Sequence, residues 1–194
     1  DVTYAHEVTQ VSCDNYSYSS DRILSTEGLE QFPALNYLSL AYHGFENIDV
    51  SHNPKLHWLY LLGNFLTDID LSKNSKLRKL NLEINKLGSI DLSENLDLTE
   101  VKLRGNNLTS IDVSQNAKLT LLYIDDVSEI DVSNNVELKE LSISGSGISS
   151  LDVTNNLMLI RLWAAANKLS SLDVSNNTSL LTLSVNSNNL ASVD

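Results

Sequence analysis

Cysteine is nearly missing from this 194-residue chain, where Cys13 stands alone. One thiol closes no internal disulfide, and no thiolate cluster is there to hold zinc or iron. Glycine occurs only seven times, too few for the glycine-rich nonapeptides of calcium-binding β-rolls. No stretch approaches the roughly 18 consecutive apolar residues of a membrane span. Nor does a basic start precede an apolar run, so no signal peptide or anchor is legible, and a first residue of Asp1 fits a processed chain. Basic residues are scarce: 13 Lys and Arg face 25 Asp and Glu, a net charge of -12. A nucleic-acid partner is excluded, because it needs a basic stripe to displace counterions from phosphates. The four histidines, His6, His43, His52 and His57, form no His-x-x-x-His pair and accompany no nucleophile motif. No enzyme, metal or cofactor is expected.

What the chain does have is a period. Asp49, Asp70, Asp91, Asp112, Asp131, Asp152, Asp173 and Asp194 follow one another at 21 residues, except for a 19-residue step from Asp112 to Asp131. A fixed period in this range marks a solenoid, whose coils bury their apolar faces only by stacking. Setting those eight aspartates aside leaves 17 acids against 13 bases, so most of the negative charge has a structural address. Asp followed two residues later by Ser suits capping of a turn through side-chain oxygens. A ladder of ion-binding carboxylates is the alternative reading of the same column.

Against the aspartates runs a second pattern, Leu56-x-x-Leu59-x-Leu61-x-x-Asn64-x-Leu66. Close copies begin at Leu35, Leu77, Leu98, Leu138, Leu159 and Leu180. This is the leucine-rich-repeat pattern. Its x-Leu-x-Leu-x centre alternates with period two and predicts a short strand with leucines inward. Asn64, Asn85, Asn106, Asn167 and Asn188 then turn into the bend, where an amide can satisfy backbone groups of two coils. His43 and Ser146 are expected to do part of that work. Some ten residues remain for the return, too few for an ordinary α-helix, so a 3₁₀ turn or an extended run is expected. The fold expected is an α/β-class but mostly β solenoid: a right-handed curved coil with a parallel concave sheet and short 3₁₀ or extended convex segments. Residues 1–34 are expected to be a degenerate N-terminal capping coil. Residues 35–194 are expected to form about eight repeats of a single domain, one of them shortened to 19 residues.

The repeats resemble those of bacterial secreted and surface proteins, especially the internalin J type, with its Leu-Asp-Val-Ser-x-Asn return. Leu172-Asp173-Val174-Ser175-Asn176-Asn177 matches that return, and similar repeats are common in surface lipoproteins of Bacteroidetes. One departure is clear. The family often has Cys at the third strand position, where this chain has Leu40, Leu61, Leu82, Leu103, Ile124, Ile143, Ala164 and Val185. The resemblance implies an extracellular or cell-surface location.

Irregular places carry expectations of their own. Val8, Val11 and Cys13 match strand positions of the first coil, and Leu24 and Leu29 later ones, with a tyrosine-rich stretch at residues 15–20 between. Cys13 is expected to be a small buried apolar residue. At Asp125 and Asp126 the bend is two residues short, read either as a tolerated deletion or as a notch in the inner surface. Leu183, Val185, Leu190 and Val193 are expected to face an open end, where another domain or subunit could dock.

The outward strand positions give the candidate site. Tyr37 and Trp58 share one column with Lys79, Glu100, Glu140 and Arg161; Ser39, Tyr60, Lys102, Tyr123, Ser142 and Trp163 share the next; Ala41 and Arg104 lie in a third. Aromatics are only 6% of the chain, yet both tryptophans fall on this face. Exposed Trp and Tyr are over-represented in binding hot spots. Tyr37, Trp58 and Tyr60, with Tyr123 and Trp163 farther along and Lys102 and Arg104 setting orientation, are therefore the candidate ligand-binding residues. A protein is the expected partner. Carbohydrate stacking on the flat rings, a structural role in an outer-membrane assembly, and aromatics that merely cover the sheet are the alternatives.

Overall fold

The computed structural model describes residues 6–16 and 22–192. Residues 17–20 of the tyrosine-rich stretch, and Val193 and Asp194, lie outside them. Nine three-residue strands run β1 Gln10–Ser12, β2 Tyr37–Ser39, β3 Trp58–Tyr60, β4 Lys79–Asn81, β5 Glu100–Lys102, β6 Leu121–Tyr123, β7 Glu140–Ser142, β8 Arg161–Trp163 and β9 Thr182–Ser184. They form one parallel sheet in chain order. Register is kept throughout: Val11, Leu38, Leu59, Leu80, Val101, Leu122, Leu141, Leu162 and Leu183 are successive partners. The solenoid read from the period is thus the fold.

The leucine columns are the core. Leu56, Leu59, Leu61, Leu66, Leu77, Leu82 and Leu87 are fully buried, and their equivalents continue to Leu169. Each coil stacks the same aliphatic on the next, so the core is one continuous file along the molecule. The returns are tight turns. Asn53 N–H reaches Val50 C=O at 3.0 Å and Leu56 N–H reaches Asn53 C=O at 3.1 Å, and the pair recurs through Asn177 and Leu180. A 3₁₀ helix, Leu29–Gln31, belongs to the first coil.

Two files of asparagine join the coils. In the strand-side bend, Asn64 Nδ2 donates to Leu40 C=O and Leu61 C=O, both at 2.9 Å, while Oδ1 accepts Gly44 N–H at 2.8 Å. His43 takes the equivalent place one coil earlier: Nδ1 accepts Ile23 N–H at 3.1 Å and Nε2 donates to Cys13 C=O. The second file is on the return. Asn74 Nδ2 donates to Val50 C=O and Asn53 C=O, both at 3.0 Å, and Asn95, Asn116, Asn135, Asn156 and Asn177 repeat the pattern. The sequence motif marks this column, but its role emerges only from the stacked coils. The aspartates cap as expected: Ser51 N–H donates to Asp49 Oδ1 at 2.8 Å, and the same bond forms at Asp70, Asp91, Asp112, Asp131, Asp152 and Asp173.

From the second coil on, each coil places a residue of its strand-side bend in the left-handed region: Tyr42, Gly63, Ile84, Gly105, Asp126, Gly145, Ala166 and Ser187, with Gly44 and Gly147 as second such residues in their coils. At Gly63 a side chain is barred twice over, by a φ of +71° and by the Tyr42 ring, 2.3 Å from where a Cβ would sit.

Four expectations are corrected. Cys13 is exposed, because it sits in the first coil and has a stacked neighbour on one side only among the described residues. Leu24 is 88% exposed, whereas Leu29 is buried and lends its carbonyl to Asn53 Nδ2. Ser146 Oγ is buried without a partner, its side chain being too short to span two coils as Asn does. The outward columns are not uniformly open: Ser39, Ala41 and Ser142 are buried. Asp14 covers the first two and Arg104 reaches the third. At the shortened coil, the Asp125 carboxylate accepts Gly105 N–H at 3.0 Å, standing in for missing backbone.

Candidate functional site

Period-two alternation aims Tyr37, Trp58 and Tyr60 away from the core, with Leu38 and Leu59 buried between them. Trp58 is 38% exposed, so the indole is on the surface and not in the interior. Strand pairing puts Tyr37 beside Trp58 directly, ring centroids 5.9 Å apart at 83°, and brings Tyr60 to 5.7 Å from Tyr37 on the diagonal. Edge-to-face contacts of this kind lock rings whose rotamers would otherwise be lost on binding. Burial pushes the Tyr60 hydroxyl pKa up, opposed by the Lys79 charge nearby. Lys79 itself is tied to Glu100 at 2.8 Å, and that hydrogen bond raises its pKa.

A second group forms farther along. Tyr123 and Trp163 are two strands apart, and their rings meet edge to face at 6.0 Å over the small, buried Ser142 between them. The Arg104 guanidinium lies 4.4 Å from the Tyr123 ring centre and Lys102 Nζ 5.5 Å from it. Tyr123 O–H donates to Glu140 Oε2 at 2.6 Å, and Glu140 also receives Arg161. Burial, then the bond to Glu140, pushes the Tyr123 hydroxyl up to about 12.

The seven residues read from the sequence therefore divide into two sites. Tyr37, Trp58 and Tyr60 form one; Tyr123, Trp163, Lys102 and Arg104 form the other. Lys102 and Arg104 serve the second cluster, since each lies over Tyr123. Reading by columns missed Asp14 and Tyr16, which wall the first site together with the aromatics. They lie in the degenerate coil, where no column assigns them a direction. Among the described residues no group of three or more His, Cys, Asp and Glu could hold a metal ion, and no helix is long and apolar enough to cross a membrane. Chemically, the face offers flat rings, mixed charge and fixed hydrogen-bonding groups.

No family model and no curated protein matches the sequence. Solved structures do. The functional domain of InlJ from Listeria monocytogenes superposes with a TM-score of 0.91 at 31% identity, over all of this chain and 43% of that one. A leucine-rich-repeat protein of Leptospira interrogans gives 0.81 at 21% identity, over 94% and 50%. An internalin (InlF) of Listeria monocytogenes gives 0.70 at 21% identity, over 98% and 64%. The InlJ domain includes a cysteine ladder; here Cys13 is the single cysteine. The chain spans less than two thirds of the length of each of these structures.

Proposed function

Because the chain is a leucine-rich-repeat solenoid with internalin-like 21-residue coils, we propose that it is a non-enzymatic protein-binding module working through the concave outer face of its strand sheet. One observation carries this reading. Both tryptophans and three of the tyrosines stand on that face in two preorganised edge-to-face groups, although aromatics are rare in the chain. Rings held rigidly before contact lose little entropy on binding, and Trp, Tyr and Arg dominate interface hot spots. The same reading puts the chain outside the cell or on its surface.

Affinity capture from cell-surface and secreted fractions, followed by mass spectrometry, tests it. Changing Trp58→Ala together with Tyr60→Ala should remove the protein captured by the unaltered chain while the altered chain still unfolds cooperatively, its thermal midpoint lower by only a few degrees for the lost ring contacts. Equal capture by both would overturn the assignment to this face. Specific retention on a glycan panel, lost with the same changes, would replace the protein partner by a carbohydrate.

A further inference from the structure

We infer that the cleft over β2 and β3 receives a single arginine side chain of the partner protein, with Asp14 as its counter-charge; this rests on the protein-binding reading and sharpens it. The cleft measures about 430 Å³, and Asp14, Tyr16, Tyr37, Trp58 and Tyr60 are among its walls. Asp14 is held in place: its Oδ1 accepts Ser39 O–H at 2.7 Å and Ala41 N–H at 2.8 Å. Among the described residues no Lys, Arg or His forms an ion pair with it, whereas Lys79 on the facing wall is neutralised by Glu100. The cleft therefore presents a carboxylate without an ion-pair partner among the described residues, beside aromatic rings of the kind whose faces attract a cation through their quadrupole. A net charge of -12 adds attraction at longer range.

The molecule itself shows what such an arrangement accommodates. The second cluster has the same parts, a Tyr–Trp pair meeting edge to face at 6.0 Å, and it already carries the Arg104 guanidinium over the Tyr123 ring. The first pair, at 5.9 Å, has no Lys or Arg stacked on its rings among the described residues. A planar guanidinium can stack on one ring and pair with a carboxylate at its edge, which a compact ammonium does less well. A sugar fits less well too. Tyr37 and Trp58 stand at 83°, so they offer no broad flat platform, and a neutral ring makes no use of a fixed formal charge.

The two indole N–H resonances provide an internally controlled titration of the intact chain. N-acetyl-arginine amide should shift the Trp58 signal saturably at millimolar concentration and leave Trp163 in place. N-acetyl-citrulline amide, of the same shape but uncharged, should bind at least about tenfold more weakly, the loss of a charge-assisted contact. Asp14→Asn keeps an oxygen for Ser39 and Ala41, so the fold survives, and it should weaken the arginine probe by about tenfold. No movement of Trp58 up to about 100 mM, equal binding of citrulline, or indifference to Asp14→Asn would each overturn the pocket. If capture of the partner still depends on Trp58 in that event, the protein-binding face stands and only the arginine receptor falls.

Discussion

Ile84 holds a backbone conformation that its own side chain opposes. Its φ of +55° lies in the left-handed region, where a Cβ costs roughly 1–2 kcal/mol and β-branching adds crowding. The side chain is 55% exposed, so little packing is lost when it is removed. Ile84→Gly should therefore raise the unfolding free energy by about 1 kcal/mol, part of the relieved strain being offset by added freedom in the unfolded chain. Urea denaturation measures it; a decrease would show that the packing Ile84 does make outweighs the strain. Gly63 is the converse case in the same column, since the Tyr42 ring already occupies the space a side chain would need.

A coil is held to its neighbours by its asparagines as well as by its three-residue strand. Asn85 donates to Leu61 C=O and Leu82 C=O, both at 3.0 Å, and accepts Leu66 N–H at 3.1 Å. Asn85→Ala leaves the buried Leu66 N–H without a partner, while Leu61 C=O and Leu82 C=O keep the Nδ2 groups of Asn64 and Asn106, so a loss of about 1–3 kcal/mol is expected. Hydrogen exchange should quicken first at Leu66 and spread to the two adjoining coils; a loss below about 1 kcal/mol would mean that water replaces the amide. Much of this was legible in the residues. Alternation placed Leu59 and Trp58 on opposite faces, and the recurrence of Asn in L-x-x-L-x-L-x-x-N placed Asn85 in the bend. The return asparagines, such as Asn95, were visible as a column but mute, because their partners lie 21 and 24 residues earlier and meet them only after stacking. The burial of Ser39 and Ser142 was illegible for a related reason. Asp14 and Arg104 reach them from other coils, and long side chains crossing a surface follow no period. Cys13 and Leu24 failed because the repeat was extended into a coil that has a stacked neighbour on one side only among the described residues.

Across the whole molecule the exposed aspartates act as one titrating column. For Asp70, Asp91 and Asp112 the N–H of the residue two on, then its hydroxyl, lowers the pKa; at Asp49, Asp131, Asp152 and Asp173 the hydroxyl leads. A carboxylate whose folded pKa is depressed stabilises above the unfolded value, about 3.9, and that contribution is lost as pH falls through the folded one. Asp125 works the other way, since burial raises its pKa and protonation favours the folded state. Glu30, lowered by backbone N–H groups, and Asp97, lowered by its bond to Lys118, add to the seven, so the thermal midpoint should stay level from pH 7 to about 5 and decline steadily below about 4. Asp112→Asn, which keeps the accepting oxygen, should shrink that decline; an unchanged acid profile would show that these caps do not set it. The shortened coil points further. Where two residues are gone, one carboxylate on Gly105 N–H mends the gap, and Leu138 and Leu141 resume their columns a single turn later. Damage that heals so quickly makes each turn a cassette. Genes encoding such chains can lengthen, shorten or reletter their recognition surface one turn at a time, while the scaffold on either side stays as it was.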